Sequence, residues 1–236
     1  MPYGKSNMIE GKRVIAVVTA RKNSKRIPGK NNLEINGKSL VQIALNHALG
    51  SEFVDYVILS SDDSDLQKNC LHHERIIWDL RPEELAQDKT LSAEVLEYVI
   101  RNYDENDIFV LLQPTSPLRR SYDIDECIKK ALHSKSKTCL SVCLTEVPIQ
   151  WCFTSTDGSI SDMPFVKEGA RRSQDYSNSY RINGAVFVFS KQIIINNSAV
   201  VDKDTLYYEM PRELSVDIDT YEDYELVKYY NTKLSE

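Results

Sequence analysis

Two short stretches far apart in the sequence carry most of this chain's chemical potential. Ala20 to Asn32 reads ARKNSKRIPGKNN and holds five cations, Arg21, Lys22, Lys25, Arg26 and Lys30, with the next acid at Glu34. In a chain of net charge -6, such a local reversal of sign asks for a local anion. Lysine heads supply charge, arginine forks supply paired donors, and the N–H groups of a turn can cradle a phosphate. The second stretch is Ser215-Val216-Asp217-Ile218-Asp219-Thr220. In extended backbone, residues two apart point to one side, so Asp217 and Asp219 can converge on one point. Hard carboxylates at that spacing suit Mg2+, usually held by one or two carboxylates plus substrate phosphates. Each stretch also has a plainer reading, a solvated basic loop for the first and a helix cap from Asp219 or Thr220 for the second. Taken together, they are the equipment of nucleotidyl transfer, in which cations and metal neutralise charge building on a triphosphate.

The elements that must position these stretches follow from hydrophobic periodicity. Arg13 to Thr19 reads as a strand emptying into the basic loop, followed by a helix from about Ser39 to Leu49 with Leu40, Ile43, Ala44 and Ala48 at helical spacing. Phe53 to Leu59 is a second strand with a polar end, then comes a short helix through Leu66 and Cys70, and Ile76 to Trp78 is a brief third strand. The polar loop Leu80 to Asp88 leads to a helix from about Ser92 to Asn102, with Ser92 as its expected cap. Ile108 to Leu112 is a fourth strand that ends in Gln113-Pro114-Thr115-Ser116-Pro117, before a helix from about Tyr122 to Ser134. Strand and helix in this alternation predict an α/β fold, a mostly parallel central sheet with helices on both faces joined by right-handed crossovers. Open sheets of this kind bind phosphates where a buried strand empties into a polar loop at its C-terminal end.

After the helix ending near Ser134 the pattern changes. Thr138 to Thr145 and Ile149 to Thr154 read as strands, with Asp157-Gly158 as a turn. Pro164 to Tyr180 is polar and irregular and reads as either a substrate-facing lid or exposed linker. Residues 138–180 are accordingly expected to form a small inserted segment within a single domain of residues 1–236. Ala185 to Phe189 and Leu206 to Glu209 are extended, and Tyr221 to Leu234 closes the chain as a helix.

Bulk composition narrows the function classes. A hydrophobic fraction of 42% with 27% charged residues is ordinary for a soluble globular protein. No apolar run approaches the roughly 18 residues of a membrane span, and MPYGKSNMIEGKR lacks the apolar core of a signal peptide, so a cytoplasmic protein without a membrane partner is expected. The acidic balance, with a pI near 5.4, argues against a nucleic-acid partner. Five cysteines without a CxxC pair read as reduced thiols, and the four histidines fall in no zinc-ligand spacing. The basic loop has neither the GxxxxGK[ST] nor the GxGxxG pattern, which disfavours a P-loop or a dehydrogenase.

Five ordered motifs carry a resemblance that covers nearly the whole chain: ARKNSKRIPGKN, LRPEELAQDKTLS from Leu80, LLQPTSPLR from Leu111, RINGAVFV from Arg181, and SVDIDT from Ser215. With them the chain resembles the acylneuraminate cytidylyltransferase family, the CMP-sialic acid synthetases and their relatives. The resemblance implies a Rossmann-like nucleotidyltransferase fold with a dimerisation subdomain inserted, and a homodimer. It implies activation of a nonulosonic 2-keto acid sugar with CTP, giving a CMP-sugar and pyrophosphate. By likeness Arg21, Lys25, Lys30 and Asn31 would hold the triphosphate, while Ala20, Arg81 and Ser92 would read cytosine and ribose. Gln113, Arg172, Tyr180, Arg181 and Asn183 would face the sugar, and Asp217 and Asp219 would bind Mg2+. Arg21, Lys30, Asp217 and Asp219 would thus be the catalytic set.

The physics of that scheme is coherent, because the acceptor sugar is itself a carboxylate that a forked Arg172 or Arg181 suits. Asn23 stands where many relatives have Gly, the segment Arg171 to Asn183 is about a residue longer, and Ile182 stands where Pro is common. These departures leave sialic, legionaminic, pseudaminic and related acids open as the sugar. Two other readings remain: a transferase of the same fold acting on a sugar or alcohol phosphate, and a catalytically silent nucleotide-binding module.

Overall fold

A computed structural model describes residues 9, 11–70, 73–155, 172–197 and 199–235. Its centre is a seven-stranded sheet. In chain order the strands are β1 (Val14–Thr19), β4 (Tyr56–Ser61), β5 (Ile76–Leu80), β6 (Ile108–Leu112), β7 (Cys139–Leu144), β8 (Tyr180–Ser190) and β9 (Leu206–Glu209). A separate two-residue ribbon pairs β2 (Glu34–Ile35) with β3 (Lys38–Ser39). The sheet order is β5-β4-β1-β6-β8-β7-β9, and β8 alone runs antiparallel to its neighbours.

Strand β1 explains why the sheet is central. Its residues alternate between two cores, Val14, Ala16 and Val18 on one face and Ile15 and Val17 on the other. Both sets are fully buried, as a strand covered on both faces requires. On the first face pack α1 (Leu40–Leu49), α2 (Ser64–Cys70), α4 (Ser121–His133) and α6 (Tyr221–Ser235), through residues such as Leu40, Leu66, Ile124 and Val227. On the second pack α3 (Ser92–Ile100) and α5 (Lys191–Asn197), through Leu96, Val99 and Ile194. The expected α/β architecture with helices on both faces is therefore the one found.

Local sequence explains the helix starts. Ser39 closes a capping box on α1, its Oγ accepting from Gln42 N at 3.2 Å while its own N donates to Gln42 Oε1 at 2.9 Å. At α6 the box is formed by Thr220 and Asp223, with Thr220 Oγ1 accepting from Asp223 N at 3.2 Å. The cap of α3 differs from expectation. Leu91 is the N-cap, Ser92 is the first helical residue, and the Glu94 carboxylate accepts from Leu91 N at 2.6 Å. The acid three residues on satisfies the helix end, so the Ser92 hydroxyl is not used there.

The second half of the chain departs further from the sequence reading. Residues Ile149–Trp151 form a turn of 3-10 helix rather than a strand, and the Asp157-Gly158 turn and Arg171 lie outside the described residues. Rather than leaving the main sheet, β7 extends it between β8 and β9. The strand expected from Ala185 begins earlier, at Tyr180, and contains a bulge. Leu140 pairs with Phe187 but Val142 with Ile182, so residues 183–186 bow out opposite Ser141.

Candidate active site

The order of strands reverses at β1, which has β4 on one side and β6 on the other. Beyond the carboxyl ends of such strands, loops leave in opposite directions and a crevice opens. Here a cleft of about 320 Å³ is lined by Thr19, Arg21, Lys30 and Asn31 from the loop after β1 and Gln113, Pro114 and Thr115 from the loop after β6. Arg81, Asp88, Ser92, Asp217 and Asp219 also line it. Eight residues singled out from the sequence, Arg21, Lys30, Asn31, Arg81, Ser92, Gln113, Asp217 and Asp219, thus share one crevice.

The basic loop is a built structure. Ile27 at its tip is fully buried, the Ala20 N–H donates to the Ser60 carbonyl at 3.0 Å, and Asn31 Nδ2 donates to the Arg21 carbonyl at 2.8 Å. Gly29 takes φ +67 to enter the 3-10 turn Lys30–Asn32, a conformation glycine adopts without steric cost. From that turn Lys30 reaches across the cleft, its Nζ donating to the Ile218 carbonyl at 2.8 Å and lying 3.3 Å from Asp219 Oδ1. Arg26 also pairs with Asp219. Thr220 and Asp223 cap the helix, which leaves the Asp219 carboxylate free to meet these cations.

Asp217 sits deeper. Burial is the main cause holding its carboxyl above the usual range, with the neighbouring Asp219 adding to the rise and a Thr115 hydrogen bond opposing it. Its Oδ1 is buried without a hydrogen-bond partner. The main chain fixes this segment beneath the β6 loop, since the Ile218 N–H donates to the Thr115 carbonyl at 2.8 Å. Arg81 is buried, its Nη2 donating to the Ser60 carbonyl at 2.9 Å, and desolvation lowers its pKa against the pull of Asp62 and Asp79.

Other expected residues lie elsewhere. The Ala20 side chain is buried in the core, so only its backbone is near the crevice. Lys25 stands off the lining, 76% exposed, and pairs with Asp88 at 2.6 Å. Arg172 is exposed and pairs with Asp175 at 3.2 Å, and Tyr180 packs its ring 5.2 Å from that of Tyr207. Arg181 comes closer, donating to the Ser215 carbonyl at 3.3 Å beside the aspartate segment. Asn183 departs from the sugar-facing expectation. It is 2% exposed, its Oδ1 accepts from Ser141 Oγ and Ala185 N, and its Nδ2 donates to Ser215 Oγ at 2.9 Å and to Met210 Sδ at 3.4 Å. That amide holds the β8 bulge and has no capacity left for a ligand.

Two residues escaped the sequence reading. Asp88 bridges the basic loop, with Oδ1 2.8 Å from Arg21 Nη1 and Oδ2 on Lys25. Arg119 is fully buried behind the crevice, its Nη1 donating to the Ala185 carbonyl at 2.7 Å and the Gln113 carbonyl at 3.2 Å. Burial lowers its pKa to about 10 despite the nearby Asp123. Both lie inside motifs, LRPEELAQDKTLS and LLQPTSPLR, and the sign of Asp88 opposite the basic loop was the available signal.

Among the described residues no helix is long and apolar enough to cross a membrane. The architecture is shared with a CMP:2-keto-3-deoxy-manno-octonic acid synthetase complexed with CTP, at a TM-score of 0.67 and 17% identity over 94% of this chain and 99% of that one. In sequence the chain is 33% identical over 214 residues to the N-acylneuraminate cytidylyltransferase of Streptococcus agalactiae serotype V, covering 89% of this chain and 51% of that protein. The chain thus spans about half the length of the streptococcal relatives it matches. It is 28% identical over 218 residues to the pseudaminic acid cytidylyltransferase of Campylobacter jejuni, covering 91% of this chain and 94% of that protein. The model of the cytidylyltransferase family matches residues 15–231, and the chain belongs to that family.

Proposed function

We propose that this chain is a cytidylyltransferase that activates a nonulosonic, sialic-acid-like 2-keto acid sugar with CTP, giving a CMP-sugar and pyrophosphate. The observation that carries this reading is the meeting of Lys30 with Asp219 across the crevice, which joins the cationic loop to the aspartate pair at a single site. Arg21, Lys25, Lys30 and Asn31 hold the triphosphate, with the Ala20 backbone, Arg81 and Ser92 on the nucleoside. Gln113 lies at the acceptor end, with Arg181, Arg172 and Tyr180 on the sugar side, and Asn183 acts through the bulge it holds. A forked arginine such as Arg181 matches the acceptor carboxylate with paired donors.

The acceptor's anomeric hydroxyl attacks the α-phosphorus in line, the bond to the pyrophosphate oxygen breaks, and the hydroxyl proton leaves to a base in the crevice. Positioning and charge neutralisation supply most of the rate, as they do for phosphoryl transfer generally. Lys30 and Arg21 are placed to neutralise the charge that builds on the leaving pyrophosphate. Asp217 and Asp219 fit Mg2+, since two carboxylates face the crevice and one buried oxygen of Asp217 lacks a partner. When bound, the ion supplies charge neutralisation on the phosphates.

A homodimer is part of the proposal. Leu144, Val147, Ile149 and Phe153 are exposed apolar side chains along one segment, a pattern that supports burial against a second copy. The cysteines among the described residues are free and CTP is an intracellular nucleotide, which supports a cytoplasmic setting.

The test is turnover of the purified chain with CTP and Mg2+ against a panel of nonulosonic acids and sugar phosphates, following pyrophosphate. Release with a keto acid alone is the expected result. Turnover confined to sugar phosphates assigns the alternative acceptor class, and no release with any acceptor while CTP binds assigns a silent module.

A further inference from the structure

Asp88 bridges two cations of the loop expected to hold phosphates. Its two oxygens contact two different cations, Arg21 Nη1 at 2.8 Å on the wall of the crevice and Lys25 Nζ at 2.6 Å just outside the lining. A carboxylate shared between two cations presents the geometry and charge that adjacent oxygens of a polyphosphate present. We propose that Asp88 is a specificity-determining residue, an internal competitor that a nucleotide's β,γ-diphosphate must displace from Arg21 and Lys25. This rests on the cytidylyltransferase reading and adds a residue that sets which phosphate chains the loop accepts.

Three observations favour competition over a purely structural role. The side chains of Lys25 and Asp88 are 76% and 42% exposed, and pairs this exposed contribute little to folding. Asp88 also joins no metal-holding cluster of His, Cys, Asp or Glu among the described residues, so a role as a third acid beside Asp217 and Asp219 is not built. Finally, Arg21, Lys25, Arg26 and Lys30 divide between Asp88 and Asp219, so two carboxylates offset part of the loop's positive charge and leave an excess that a polyanion can meet.

A strong polyanion exchanges places with Asp88, whereas a single phosphate has less charge with which to do so. After transfer the nucleotide product no longer carries the diphosphate, and Asp88 can reclaim both cations as pyrophosphate departs. The residue thus weakens pyrophosphate retention at the same contacts that capture CTP.

The experiment is calorimetric titration of the full chain and of Asp88→Asn and Asp88→Ala with inorganic pyrophosphate, CTP and CMP, without acceptor and with a melting curve for each protein. Pyrophosphate and CTP are expected to bind both variants about three- to tenfold tighter, the loss of one or two exposed ion pairs expressed as affinity. CMP affinity is expected to change less than about twofold, because its one phosphate competes poorly for a bridged cation pair. Unchanged or weaker pyrophosphate binding overturns the proposal and makes Asp88 a residue that positions Arg21. An equal gain for CMP overturns it too, by reducing the effect to general electrostatics. A wild-type chain that binds neither CTP nor pyrophosphate removes the cytidylyltransferase reading as well. Wild-type binding of both with unaltered variants removes only the role of Asp88.

Discussion

Lys30 and Asp219, 189 residues apart in sequence, meet with Nζ 3.3 Å from Oδ1, and the same ammonium also takes the Ile218 carbonyl at 2.8 Å. One lysine therefore measures the distance between the two chemical halves of the crevice. Its side chain is 14% exposed and that of Asp219 is 45% exposed, so the contact lies at the mouth of a partly dry site. Electrostatic interactions there are stronger than on an open surface.

Asp219→Asn removes one charge from the proposed metal pair without touching the helix cap, which belongs to Thr220 and Asp223. Mg2+-dependent pyrophosphate release should fall by roughly two to three orders of magnitude, the scale of losing one preorganised charge at a transition state. The melting temperature should move little. Full turnover in this variant would remove the metal role.

Gly184 has φ +76, and a Cβ built there would lie 3.2 Å from Gln113 Oε1. Gly184→Ala should destabilise the chain by about 1–2 kcal/mol from the left-handed backbone alone. By crowding Gln113 it should also raise KM for the acceptor more than KM for CTP. Equal KM values for both substrates before and after the change would show that Gln113 does not meet the sugar.

Arg119 joins the β6 loop to the β8 bulge through the Gln113 and Ala185 carbonyls. Arg119→Met keeps much of the volume but takes the Arg119 donor from the Ala185 carbonyl, while the Gln113 carbonyl keeps the Ser116 N–H at 3.3 Å. Unfolding in urea should show a loss of about 2–4 kcal/mol, the range for stripping partners from buried polar groups. Acceptor KM should rise along with it, because the bulge sets where Gly184 faces Gln113.

His47 supplies a pH dependence. Burial, then the charge of Arg119, lowers its pKa to about 3 despite the opposing Asp123, and its Nδ1 is buried without a partner. The unfolded chain takes up a proton near pH 6.5, a typical histidine value, while the folded chain takes it up only near 3. Between those values the unfolded state binds more protons, so stability is complete above pH 6.5 and falls as the pH drops toward 3. The loss is on the order of 2 kcal/mol once local relaxation is allowed for. In His47→Gln, urea unfolding measured from pH 7 to pH 4 should show a shallower decline than in wild type.

Much of the frame was legible because it rests on local pattern. The helix expected from about Ser92 is α3, where Val95, Leu96, Val99 and Ile100, at helical spacing, are all buried. Where the pattern was short, it misled. Ile149 to Thr154 has β-branched and aromatic residues, yet Pro148 and the exposed end of β7 direct the chain into a 3-10 turn. Helix α5 went unread because its run of isoleucines at 193–195 is as compatible with a strand as with a helix. Ser92 looked like a cap because its type and place were right, but the Glu94 carboxylate reaches the free backbone N–H first. Likeness to the family's RINGAVFV motif alone puts Asn183 on the sugar side, and only the bulge explains why its amide points inward.

The alternation of strand and helix, the cationic loop at the end of β1 and an aspartate pair two residues apart are all written in the order of residues. Those features need only neighbours along the chain: side-chain period, turn residues and charge. The tertiary structure alone decided which residues share the crevice. Strand β8 enters antiparallel between β6 and β7, and its bulge is held by Arg119 and Ser141. Asp88 meets Arg21, 67 residues away, and Lys30 meets Asp219. Partners at such separations are chosen by how the layers pack, and the free energy that selects them is spread over the whole core rather than carried by any local stretch.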